Sequence, residues 1–133
     1  MTPRRNGETV WPTKAELDIL HVLWESGPST VRDVHATLYG DDGAGYTTAL
    51  KLMQIMHGKG LVERDDSQRA HIYRAAISKQ RTQKHYVADI VDRLFNGSAS
   101  QLALHALGSQ PGASREELKE IRALLKRIDT GEP

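Results

Sequence analysis

At 133 residues the chain can bury one modest core or two small ones, which argues against large multidomain catalysis and for a single domain with an appendage. The absence of cysteine excludes disulfides, thiolate metal sites and a thiol nucleophile, and no apolar run approaches the ~20 residues that span a bilayer, so a cytoplasmic protein is expected. The net charge of +1 is evenly spread: residues 1–78 carry nine Lys and Arg against ten Asp and Glu, and residues 79–133 nine against seven, so a positive surface for nucleic acid must come from placement.

Residues 1–11 read as a loose polar arm with adjacent Arg4 and Arg5, anchored by Trp11. Thr13-Lys14-Ala15-Glu16 is a capping box that opens a first helix. Leu17, Leu20, Leu23 and Trp24, with Ile19 beside them, form its buried stripe, and Ser26-Gly27-Pro28 ends it. Ser29 or Thr30 caps a second helix with Val31, Val34 and Leu38 on one face, and Gly40 closes it before an acidic loop, Asp41 to Gly45.

A third helix is expected from Gly45 to Gly60. At ~100° per residue it places Ala49, Leu52, Met53 and Met56 on one side and Thr47, Lys51, Gln54 and Gly58 on the other. Thr, Lys and Gln can donate to phosphates or base edges, and Gly58 leaves room for a second surface; in isolation such a face reads first as merely solvated. After Gly60 the period changes, and Leu61–Arg64 and Ala70–Arg74 read as a hairpin. Three helices followed by a hairpin is winged-helix order, in which the third helix enters the major groove and the hairpin follows the backbone. Arg64, Arg69 and Arg74 are then placed to contact phosphates, with Ser67 and Gln68 at the tip; a hairpin with ordinary surface charge is the plainer reading.

From Ser78 the chain is helical again. Val87, Ile90, Val91, Leu94 and Phe95 follow helical spacing until Asn96-Gly97, Ser98 recaps a short helix through Leu102 and Leu107, and Gly108 to Gly112 breaks it. A capping box, Ser114 to Glu117, opens a last helix with Leu118, Ile121, Leu125 and Ile128 at heptad-like spacing. Stripes this regular on short helices predict a second copy as partner, giving a mainly α protein with a small β-hairpin: a winged helix-turn-helix domain at 1–78 and a helical dimerisation domain at 79–133.

Little in the chain carries chemistry. Six histidines are spread without metal-ligand spacing, and Gly40 to Gly45 holds Asp41 and Asp42 where a phosphate loop needs Lys and Ser or Thr. No enzyme, metal or cofactor is expected. The same two carboxylates lie beside the third helix and discourage loose DNA binding.

The ordered pieces resemble the BlaI/MecI/CopY repressors, the penicillinase-repressor group. The matching segments are T-K-A-E-L-D-I-L-H-V-L-W with Leu17 to Trp24, Val31-Arg32-Asp33-Val34, Tyr46-Thr47-Thr48, Lys59-Gly60-Leu61-Val62, the Tyr73 strand, L-F-N-G-S-A-S-Q-L from Leu94 to Leu102, and S-R-E-E-L-K-E-I from Ser114. The resemblance implies a winged-helix homodimer that binds an inverted-repeat operator in double-stranded DNA and blocks transcription, with the carboxy-terminal helices pairing. It places the DNA-contacting helix on Tyr46 to His57, with Thr47, Thr48 and Lys51 as matching contacts; Gln54 follows from helical position. Leu50 departs from the polar or basic residue of relatives and suits a thymine methyl contact. The copper-responsive mode needs carboxy-terminal cysteines and is excluded. A membrane sensor and protease system acts on the β-lactamase repressors at an Asn-Phe bond, and that position is His105-Ala106 here. A winged-helix protein-interaction module without specific DNA binding is the alternative that the near-neutral charge favours, and a ligand-sensing regulator a third.

Overall fold

The computed structural model describes residues 11–40, 45–110 and 112–131. The elements are α1 (Lys14–Ser26), α2 (Val31–Tyr39), α3 (Tyr46–Lys59), β1 (Val62–Asp65), β2 (Ile72–Ala75), α4 (Lys79–Leu94), α5 (Ala99–Ser109) and α6 (Arg115–Thr130). This is the expected mainly helical architecture with one antiparallel hairpin. The arm with Arg4 and Arg5 and the Asp41-Asp42 segment lie outside the described residues.

Capping sets the helix starts. Thr13 accepts from the Glu16 amide at 3.3 Å while Glu16 accepts from the Thr13 amide at 2.9 Å. Thr30 and Asp33 repeat the arrangement, so Thr30 is the cap of α2 and Ser29 is released for another role. The Ser29 amide donates to the Tyr73 carbonyl at 2.9 Å and the Tyr73 amide donates to the Ser29 carbonyl at 2.8 Å, tying the turn between α1 and α2 to the hairpin. At its start α3 has no side-chain cap, only Gly45 at φ +84°; it closes on Gly60 at φ +81°, with the Leu61 amide donating to the Met56 carbonyl at 2.9 Å. That bond keeps Leu61 out of the strand, so β1 starts one residue later than expected. β1 pairs with β2 from Val62 opposite Ala75 to Asp65 opposite Ile72. Gly108 does not break α5, which runs on to Ser109, because one helical glycine costs only about 1 kcal/mol relative to alanine.

The chain divides into two compact units, Met1–Val87 and Ala88–Pro133. The first has a closed core. Ile19, Leu20, Val22 and Leu23 of α1 meet Val31 and Val34 of α2, Ala49, Met53 and Met56 of α3, and Leu61, Val62, Tyr73 and Ile77. Glu16, 1% exposed, lies at the edge of this core and accepts from Lys59 Nζ at 2.8 Å. A buried carboxylate is tolerated only with such partners, so the pair fixes the end of α3 against the start of α1.

The opening turns of α4, beyond the expected domain boundary at Ser78, also belong to this unit. Trp24 Nε1 donates to the Ile77 carbonyl at 2.9 Å, the Trp11 and His85 rings stack at 3.7 Å, and the Tyr86 hydroxyl donates to the Pro12 carbonyl. In the second unit, Asn96 at φ +50° and Gly97 at φ +82° turn the chain out of α4, Ser98 caps α5, and the Ser114–Glu117 capping box opens α6. No helix among the described residues is long and apolar enough to cross a membrane.

Candidate nucleic-acid interface

The 3.6-residue period of α3 separates two faces. Ala49, Met53 and Met56 are buried; Tyr46, Thr47, Thr48, Lys51 and Gln54 are exposed. The helix is held at both ends, by the Glu16–Lys59 pair and by Tyr46, whose ring meets His35 edge-on at 5.8 Å. His35 is itself buried and lies 5.5 Å from the Tyr39 ring. A polar face on a helix so fixed presents its donors in one geometry.

Beside this face lies an open cleft of about 490 Å³. Tyr46, Leu50 and Gln54, one turn apart on α3, form one wall. Thr30, Val31 and Arg32 at the start of α2 and Arg69, Ala70, His71 and Tyr73 of the hairpin complete it. Of the residues expected to contact DNA, Tyr46, Gln54 and Arg69 are thus brought together, while Thr47, Thr48 and Lys51 are exposed outside the cleft. Arg32 is an addition. The sequence signal for it was its place just inside a strong N-cap, where a cation and free helix amides are both near solvent.

The three wing arginines do not act as a set. Arg64 Nε lies 2.7 Å from Asp66, and Arg74 Nη2 lies 2.5 Å from Glu63, its cross-strand neighbour. Arg64 is held charged above its usual range by a side-chain hydrogen bond with Tyr73 and then by Asp66; Arg74 is raised by Glu63. Both line a separate groove of about 410 Å³ with Pro28, Glu63, Asp65 and Ile72. Arg69 has no ion pair among the described residues and faces the α3 cleft.

The expected pairing residues are mostly uncovered. Val87, Ile90, Leu94, Leu118, Leu125 and Ile128 are exposed, Phe95, Leu102 and Ile121 are half-buried, and Val91 is buried. Leu104, Leu107 and Leu124 are exposed as well, and Leu104 and Leu124 fall outside the heptad spacing that singled out the others.

Comparison with known proteins agrees with this layout. The family described as Penicillinase repressor matches residues 12–127, nearly the whole described chain. The chain is also similar to the Transcriptional regulator BlaI of Mycobacterium tuberculosis strain CDC 1551 / Oshkosh, 26% identical over 117 residues that cover 87% of this chain and 83% of the relative. The protein of that name from strain ATCC 25618 / H37Rv matches to the same extent. A match running through the winged helix and all three carboxy-terminal helices is a match of the whole architecture, and the chain belongs to the penicillinase repressor family, a family of transcriptional repressors and not of enzymes.

Proposed function

We propose that the chain is a homodimeric, sequence-specific repressor that binds an inverted-repeat operator in double-stranded DNA. DNA binding is assigned to residues 1–78 and pairing to residues 79–133. The reading rests on α3: it is the third helix before a hairpin, its apolar side is closed into the core, and Thr47, Lys51 and Gln54 stand exposed on the other side. Pairing is supported by the composition of the second unit. Among the described residues, Val91 is the one buried apolar side chain there, while apolar side chains on α4, α5 and α6 are open to solvent. Three helices with so small a core need a second copy to bury those faces. A membrane sensor and protease system is the proposed inducer; the bond aligned with the family's cleavage position, His105-Ala106, lies inside α5.

Retention on duplex DNA across a salt series tests the reading. A steep decline of affinity with salt is expected. Lys51→Ala should weaken binding on all sequences and lower the salt slope by about 1, and Gln54→Ala should relax base preference by about 1–3 kcal/mol. Full operator affinity in both variants would remove the mechanism. Pairing of Arg64 and Arg74 within the wing favours a second reading, a protein-interaction module, and absence of retention at low salt would decide for it.

A further inference from the structure

The wall of the α3 cleft is a graded row: an aromatic ring, an aliphatic side chain and an amide at positions 46, 50 and 54. Leu50 is half-buried against the core, and the part of it that remains open looks into the cleft. Arg32 and Arg69 stand at the cleft on α2 and on the wing, neither with an ion pair among the described residues. Cations on two sides of a concave surface match a polyanion that crosses it. The wall can neither donate nor accept a hydrogen bond at Leu50, so a base edge laid against it there must offer an apolar group. In the major groove only thymine does, through its 5-methyl group, and the amide of Gln54 fits the N6 and N7 edge of adenine. Four helical residues rise about 6 Å, one to two base-pair steps, so the two side chains reach neighbouring pairs.

We propose that Leu50 is a specificity-determining residue that packs on the 5-methyl group of a thymine in each operator half-site, while Gln54 takes the adenine of a neighbouring pair. The inference rests on the DNA-binding reading above.

The test begins with selection of bound duplexes from a random pool by the full chain. Each thymine of the selected duplex is then replaced in turn by deoxyuridine, which removes the methyl group alone. At one thymine per half-site the wild-type protein should lose about fourfold in affinity, the value of one buried methylene-sized group. Leu50→Ala, with its fold checked by circular dichroism, should lose a similar factor on the thymine duplex and no longer distinguish thymine from deoxyuridine. Indifference of the wild-type protein to every replacement would overturn the proposal without any variant being made. Discrimination retained by Leu50→Ala would overturn the assignment to that residue. A pool that enriches no duplex would instead sink the DNA-binding reading, and this proposal with it.

Discussion

Under the proposed DNA-binding reading, Gly58 and Glu16 serve α3 in different ways. Glu16 is buried, bonded to Lys59 and to the Thr13 amide, and holds the end of α3 in place. Gly58 is on the polar side of α3, and a Cβ added there meets no atom within 4 Å. A helical glycine costs about 0.5–1 kcal/mol relative to alanine, and nothing in the free protein requires it. Gly58→Ala should therefore raise stability by about that amount in urea unfolding while lowering affinity for duplex DNA, because the new methyl group stands between α3 and the surface it approaches. Unchanged affinity would place that end of α3 off the DNA. The outward direction of Thr47, Lys51 and Gln54 was legible from the helical period, which depends on neighbours within four residues. The surroundings of Leu50 were not, since its cleft is completed by Arg69 and His71 from the hairpin.

At the scale of elements, the wing holds two of its three arginines, Arg64 and Arg74, in ion pairs. With Arg74 paired to Glu63 across the strands, Arg74→Ala should change DNA binding little, whereas Glu63→Gln should free a guanidinium and steepen the salt dependence by about one phosphate contact, a slope change near 0.9. Equal slopes for Glu63→Gln and wild type would mean that the wing does not reach the backbone. The capping box of α6 has its own pH dependence. The Ser114 amide, and then its hydroxyl, hold the Glu117 carboxyl below its ordinary value of 4.5. The folded-state value is the lower one, so the stabilisation is full above the unfolded value and is lost as pH falls through the folded one. Ellipticity of α6 should decline in that acidic window, and Glu117→Gln should remove this part of the decline. The caps of α1, α5 and α6 were legible from Thr13, Ser98 and Ser114, whereas Ser29 and Thr30 fitted the start of α2 equally until the fold tied Ser29 to Tyr73. The strand starts were not: β1 is delayed by a bond from Leu61 back to α3, and a bond of this kind leaves no mark on local composition.

For the whole molecule, the two units differ in how complete they are. The first closes its core within one chain; the second leaves Leu118, Leu125 and Ile128 of α6 open, with Ile121 half-buried between them. Leu118→Asp or Ile121→Asp should halve the mass in sedimentation and reduce operator affinity, while the first unit keeps its fold. An unchanged sedimentation profile would count against the pairing surface. The chain alone determined the order of helices, their caps, the amphipathic faces and the hairpin, because each is set by residues a few positions apart. Only the tertiary structure decided which of the arginines near α3 have an ion pair among the described residues. Arg64 and Arg74 are neutralised within the hairpin, while Arg32 and Arg69 come together beside α3. It also decided what holds that helix, the Glu16–Lys59 pair 43 positions apart, and what positions the wing, the bridge from Ser29 to Tyr73. Such contacts join residues distant along the chain, and periodicity and spacing carry no information about them.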